Sequence, residues 1–505
     1  MPQLWPFVLQ ALTPPEHQVT IIDGNALHLS PAELVQIVKE KQIDLVGMGF
    51  MTRMAQTAYR MAAALRAETK VRIVMGGPHV TAVPDEPLGL TGQPCHADAV
   101  VVGEADEIWP QILRDAENGC LKNRYEPEVV NGKEVKPNLD SYPAISWEHL
   151  DMTLFNLMRF VPGGVKSMLR RFGFGYDNLY AIPMETGRGC PYGCEFCTVT
   201  GFFGTSVRFR SNDDVVAEIL RLKAMARHNN GLVMIFFVDD NFAINRNRTK
   251  SLLRHMIAND ACIPWTGQIS INLLEDEELV QLIAASGGRW IFMGLESVDP
   301  VSLKVAHKDF NKPSQYKKVL DLLAKYNLFG ITSFIYGMDG DQPGVSKTTV
   351  GTIEQWPPGL SVFGLLTPYP HTPLYDRLIA EGRLTRPHHW LDFRAFKTAL
   401  QPKHLTPDQA EAEVRESWTQ CYSPRAFRNA QKWMVANDKS FGLQLMLFVG
   451  RMLFRGIYFP QMKRGAWLRL LGQNLPTIGS LAWSGWKSKK RIQPVPALPQ
   501  EEPAS

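Results

Sequence analysis

No uninterrupted apolar run of about 18 residues occurs in this chain, so a membrane-spanning helix is not expected. An excess of one charge is missing too: 54 Lys and Arg stand against 50 Asp and Glu, and a net +4 is too weak to argue for nucleic acid. Cysteine is sparse, with 7 in 505 residues, and no secretory leader is read, which argues against a disulfide-stapled secreted scaffold. Four of the seven, Cys95, Cys120, Cys262 and Cys421, are scattered singly, as small buried hydrophobes commonly are. An apolar content of 45% over this length suffices for two or three globular domains, each with its own core.

The other three cysteines are crowded together. Cys190, Cys194 and Cys197 lie in Glu185-Thr186-Gly187-Arg188-Gly189-Cys190-Pro191-Tyr192-Gly193-Cys194-Glu195-Phe196-Cys197, the pattern C-x3-C-x2-C in a Gly-rich loop after an apolar segment. A structural zinc site wants four ligands in two separated pairs, and here no histidine lies close in sequence. Three thiolates are one short of the set that closes an iron–sulfur cubane, which leaves one iron open to a substrate or cofactor. Such a cluster is easily oxidised, so a reducing cytoplasm is the expected location.

Downstream, strand-like and helix-like segments alternate. Ser211 to Lys223 is a capped helix with Ser211 and Asp214 at capping-box spacing, followed by a buried strand from Ile235 that ends in Asp239 and Asp240. Thr249 to Ile257, Asp276 to Ala285, Ser314 to Tyr326 and Ser346 to Gln355 are expected helices. Thr266 to Asn272, Trp290 to Gly294, Ile331 to Tyr336 and Val362 to Thr367 are expected strands. With the strand entering the cysteine loop this makes six βα units and a parallel sheet with right-handed crossovers. Ligand groups in such sheets gather at the strands' carboxyl ends. Polar residues cluster there: Asp239, Asp240 and Asn241; Gln268 and Ser270; Glu296 and Ser297; Asp339 to Asp341.

With Phe196 before its last cysteine, this loop resembles that of the radical S-adenosylmethionine (SAM) superfamily. The resemblance covers residues 180–400 and implies a partial (β/α)6 barrel, with Cys190, Cys194 and Cys197 holding a 4Fe-4S cluster whose open iron chelates SAM. It implies that Asp239, Asp240 and Asn241 stand where the family holds the SAM amino group, usually with a Gly-Gly-Glu-like motif. Glu296 and Ser297 match the ribose region. Phe196 and the backbone near Tyr336-Gly337 and Thr367-Pro368-Tyr369 are expected around adenine, with Gln268 and Ser270 in the same site.

Ahead of this, residues 1–145 read as an α/β domain. His17 to Ile22, Asp44 to Met48, Val71 to Met75 and Ala99 to Val102 look like short buried strands, and Gln56 to Ala67 like an amphipathic helix. Placed before such a barrel, the stretch resembles the flavodoxin-like cobalamin-binding domain of the cobalamin-dependent class. Thr52, Gly76, Gly77, Gly103 and Glu104 match its binding loops, and His79 is expected to pack in a loop rather than ligate cobalt. The first strand of that fold, with its following loop, is expected to be missing.

Residues 146–179, with Pro162, Gly164 and Arg171, read as a linker. Residues 401–505 are expected to be helical, with His404 to Gln431 one helix and a disordered Pro- and Glu-containing tail. Phe441 to Phe459 carries Arg451 and Arg455 on one face, followed by Lys463 and Trp467, Trp483 and Trp486. It is read as a helical cap on the barrel or as a segment lying against a membrane surface.

The resemblance implies a cobalamin-dependent radical SAM enzyme, closest in pattern to hopanoid C-methylases and the anaerobic magnesium-protoporphyrin ester cyclase. C-methylation of an unactivated carbon in a hydrophobic small molecule is expected, with a flavodoxin or ferredoxin as reductant and no nucleic-acid partner. The alternatives are oxidative ring formation with the same cofactors, radical chemistry without cobalamin, and an iron–sulfur electron carrier that does not cleave SAM.

Overall fold

The computed structural model describes residues 1–147, 151–160, 163, 166–167, 170, 176–394, 396–458 and 464–489. Pro162, Gly164, Arg171, Lys463 and the tail beyond Lys489 fall outside them. Two parallel sheets organise the rest. The first has the order β1 (Leu45–Gly49), β2 (Arg72–Gly76), β3 (Ala99–Val101) and β4 (Arg124–Tyr125), with all pairings parallel. Helix Ala55–Glu68 buries Ala55, Ala58, Tyr59, Ala62 and Leu65, a helical spacing that turns one face onto Ile73, Met75 and Val100. A small antiparallel hairpin, β5 (Val129–Val130) with β6 (Lys133–Glu134), follows.

His17 to Ile22 is not a strand: it has no ladder partner and Val19 is 37% exposed. The expected position of its partner, beside β1, holds no strand among the described residues, and β1 is an edge of the sheet. An extended segment with no neighbour to receive its N–H and C=O groups stays in water.

The second sheet is the larger. β7 (Asn178–Met184) leads into a two-residue pairing of β8 (Gly187–Arg188) with β9 (Arg208–Phe209). Then come β10 (Gly231–Phe237), β11 (Trp265–Gln268), β12 (Gly288–Glu296), β13 (Phe329–Tyr336) and β14 (Leu360–Leu365). The order β14-β13-β12-β11-β10-β7, parallel throughout, is the expected run of six βα units curled into a half-barrel. Helix Asn212–His228 is capped by Ser211, whose oxygen accepts from the Asp214 amide. The third strand stops at Gln268, and Ile271–Leu273 forms a 3-10 turn instead, so Thr266 to Asn272 was too long as a strand.

A half-barrel has two open edges, and both are covered. At β14, Trp418 Nε1 donates to Phe363 O at 2.9 Å, and the Tyr422 hydroxyl donates to Ser361 O at 2.8 Å while accepting from Ser361 N. At β7, Asn156 forms an antiparallel bridge to Tyr180, and its Oδ1 accepts from Leu179 N. Side chains thus satisfy backbone groups that would otherwise invite another strand.

The helix read as His404 to Gln431 is two, Pro407–Cys421 and Pro424–Ala436, because Pro424 cannot continue the first. Phe441–Tyr458 packs as a cap. Leu447 and Met452 are buried, Gly450 lies against Trp290, and the Arg451 guanidinium donates to Gly359 O at 2.8 Å and to Cys421 O. Among the described residues no helix is long and apolar enough to cross a membrane.

Candidate functional site

The cysteine loop is the excursion between β8 and β9. Its base is closed by glycines that no other residue could replace: a Cβ on Gly189, at φ +93°, would stand 2.3 Å from Ser206 O, and one on Gly187 2.7 Å from Arg208 O. On the inner side, Gly189 N donates to Asp240 Oδ2 at 3.1 Å. From outside, Arg377 grips Glu195 through two parallel hydrogen bonds of 3.0 and 2.8 Å, and Leu374 N donates to Glu195 O. Arg377 also pairs with Asp339 at 2.8 Å. Burial pushes the Asp339 carboxyl up, but Arg383, Lys403 and Arg377 outweigh it and hold it at about 2.

Cys194 is buried, and Cys190 and Cys197 are half-buried. Burial pushes all three thiols up, Cys194 to about 11, while the Lys308 ammonium pulls each down. Lys308 itself is held 2.6 Å from Glu296 Oε1, and Glu296 occupies the left-handed region at φ +65°. Gly294 makes room for this pair, since a Cβ there would lie 2.3 Å from Glu296 Oε1 and 2.9 Å from Lys308 Nζ. Phe196 packs beside Met338 and Leu366, with Lys308 Nζ 5.7 Å from its ring centre.

The expected SAM-binding residues divide into two groups. Both Asp239 oxygens are taken by Thr186, whose N–H donates at 2.8 Å and hydroxyl at 2.6 Å; burial raises this carboxyl to about 7. Asn241 and Ser270 satisfy each other, amide to hydroxyl at 2.8 Å and backbone N–H to carbonyl at 3.2 Å. Gln268 donates to Asp240 O, and Ser297 Oγ accepts from Asp299 N. These side chains tie strand ends together. Asp240 is different: its charge helps raise the Cys190 and Cys197 thiols, and burial raises its own carboxyl to about 6.

The carboxyl ends of the first sheet meet this mouth. Glu104, after β3, is buried and paired with Arg188 at 2.7 Å and Arg208 at 2.8 Å, so it holds the barrel rather than facing a ligand. Asp106 receives two hydrogen bonds of 3.0 Å from Arg188. The glycines, too, are accounted for by packing: Gly76 lies against Val101, Gly77 at φ +93° against the Phe50 backbone, and Gly103 at φ +77° against Glu134 and Pro127. His79 is fully buried between Tyr59 (3.0 Å) and Glu86 (3.3 Å), a packed residue as expected. What remains open is a cleft of about 280 Å³ between Met51–Arg53, Pro78 and Thr81 on one side and Thr198, Gly201, Phe202 and Tyr369–His371 on the other. Thr52 lines it, alone among the N-terminal residues singled out from sequence.

Among the described residues, no three His, Cys, Asp or Glu side chains converge as a single metal ion requires. Donors around a cubane each hold a separate iron and stand farther apart, and three mutually interacting thiols, one buried and two half-buried, with a cation nearby fit that larger group. The cleft fits part of a flat cofactor with threonine and aromatic partners. Sequence reasoning missed Lys308, Arg188, Arg53 and His371. None carries a local signal, because each earns its place through contacts far along the chain.

Comparison with known proteins agrees with this geometry. The model of the radical SAM superfamily matches residues 184–344, and that of the B12 binding domain residues 2–113. The chain is 25% identical over 420 residues to bacteriochlorophyllide d C-8(2)-methyltransferase of Chlorobaculum tepidum, covering 82% of this chain and 84% of the relative. Hopanoid C-2 methylase of Rhodopseudomonas palustris is 25% identical over 86% of this chain and 74% of its own. Anaerobic magnesium-protoporphyrin IX monomethyl ester cyclase of Cereibacter sphaeroides is 24% identical over 80% and 64%. In fold, the chain resembles the cobalamin-dependent SAM radical enzyme OxsB, with TM-score 0.60, 12% identity, and coverage of 95% of this chain and 77% of that one. The chain therefore carries a radical SAM domain over residues 184–344, with a B12-binding domain ahead of it over residues 2–113.

Proposed function

We propose that this protein is a cobalamin-dependent radical SAM C-methyltransferase acting on an unactivated carbon of a hydrophobic small molecule, with a flavodoxin- or ferredoxin-like reductant. The observation that carries the proposal is the cysteine loop's position, where the carboxyl ends of the half-barrel meet those of the B12-binding sheet. Relatives named as methyltransferases over more than two thirds of their length support the same reading.

In this proposal Cys190, Cys194 and Cys197 hold the 4Fe-4S cluster, and Asp240 with the Gly294–Glu296 strand end faces SAM. Phe196 offers its ring to the adenine, and the cleft beside Thr52 seats the corrin. The bound groups supply the electron, the hydrogen abstraction and the methyl group. The chain's own task is to orient and shield. Glu195 and Arg377 fix the loop from outside, Gly189 and Asp240 from inside, and Lys308 balances the charge of the thiolates. Exposed Leu468, Leu475, Trp483 and Trp486, with Lys487 over the Trp483 ring, suit peripheral contact with a membrane that delivers an apolar substrate.

The test is anaerobic turnover with methyl-labelled SAM. Corrin absorption on the purified protein, 5′-deoxyadenosine and labelled methyl in the product are expected. Product without label but with oxygen from water favours cyclisation, as in the cyclase relative. A cluster without 5′-deoxyadenosine leaves an electron carrier.

A further inference from the structure

The cleft between the B12-binding domain and the half-barrel is lined by one permanent cation, Arg53. None of its lining residues is Asp or Glu, while Arg53 and His371 both border it. Among the described residues Arg53 is exposed and makes no ion pair, although most arginines around the cysteine loop are matched to carboxylates. Burial pushes the Tyr369 hydroxyl on the facing wall up, and the Arg53 charge offsets part of that rise.

His371 stands out by its backbone. It sits at φ +63°, a conformation that side chains other than Asn, Asp and His rarely adopt and that glycine adopts freely. The turn is fixed by Thr372, whose hydroxyl donates to Tyr369 O at 2.6 Å and accepts from Tyr375 N to cap helix Pro373–Ala380. Gly201 accommodates the ring, because a Cβ there would lie 3.0 Å from it. The imidazole is exposed, and no hydrogen bond to it is made among the described residues.

We propose that Arg53 and His371 form an anion-binding pair, one from each domain, which takes a carboxylate or phosphate on the molecule bound in the cleft. Threonine hydroxyls at Thr52 and Thr81 and the rings of Phe202 and Tyr369 complete an amphiphilic surface. A planar guanidinium and an imidazole bordering one cleft both offer N–H donors to an oxyanion. The ligand chemistry has two possible sources, the substrate and the phosphate of the corrin's nucleotide tail. The inference rests on the methyltransferase proposal only in taking the cleft as the place of reaction.

The test uses the full chain and does not depend on turnover. Inorganic phosphate is titrated calorimetrically into cobalamin-loaded protein, and the binding of cobalamin and of cobinamide, which lacks the tail phosphate, is followed by absorption. The variants are Arg53→Gln and His371→Gly; the second relaxes the backbone, so misfolding does not explain a loss. If the substrate supplies the anion, phosphate binds about tenfold more weakly to both variants while both corrins bind unchanged. If the cofactor supplies it, cobalamin weakens and cobinamide does not. Unchanged phosphate and cobalamin binding overturns the pair. Label transfer from SAM, measured separately, judges the methyltransferase proposal itself.

Discussion

Arg188 Nη1 lies 2.7 Å from Glu104 Oε2, joining the residue two places before Cys190 to the end of the third strand of the B12-binding sheet. The same guanidinium reaches Asp106 and Glu185, and burial leaves it 7% exposed. Removing one partner of such a group strands the others without water, at a cost of about 3–5 kcal/mol. Arg188→Met is therefore expected to destabilise by that order in denaturant unfolding. The double variant that also carries Asp106→Asn should recover part of the loss, because Arg188 is the ion-pair partner of Asp106 among the described residues, whereas Glu104 keeps Arg208.

The ligand assignment is tested by iron. Replacing Cys190, Cys194 or Cys197 with Ala should abolish SAM cleavage and sharply lower iron and sulfide per chain after anaerobic reconstitution, with circular dichroism unchanged. Ala at Cys95, Cys120 or Cys262 should leave iron content as it was; loss there contradicts the assignment.

Gly189→Ala needs no chemistry to fail. Its Cβ would meet a backbone oxygen at 2.3 Å, from a backbone conformation unfavourable to alanine. The loop must open, so cluster content should fall to the level of the cysteine variants, while far-ultraviolet circular dichroism reports an intact barrel.

Asp341 gives a pH signature away from the cysteines. Its oxygens accept from the Gly337 and Met338 amides and from Ser302, yet burial dominates and raises its carboxyl to about 6. A carboxyl raised in the folded state binds its proton more tightly there than in the unfolded chain. Its contribution is fully present below about pH 4 and is lost as pH rises through about 6. Asp341→Asn does not titrate and keeps these partners. Its stability relative to the parent should rise by up to about 3 kcal/mol between pH 4 and 7 and then level off, as read by denaturant midpoints. A flat difference contradicts the shift.

The sequence alone determined the six βα units, the cysteine loop and the kind of protein. Strand and helix periodicities are local, and three cysteines within eight residues are a local pattern as well. It misled where a local pattern had no neighbour: His17 to Ile22 alternates like a strand, but a strand exists only when another pairs with it. Tertiary structure alone decided which polar strand ends are free. Asp239, Asn241 and Ser270 read as ligands because they are polar residues at strand ends, and Glu104 because it matches a cobalamin-binding loop; only folding shows that Thr186, one another, and Arg188 have already claimed their hydrogen bonds. The converse holds for Lys308, Arg53 and His371. Their surroundings are set by residues distant along the chain, and a charge's role depends on what lies within a few ångströms of it, which spacing in sequence does not encode.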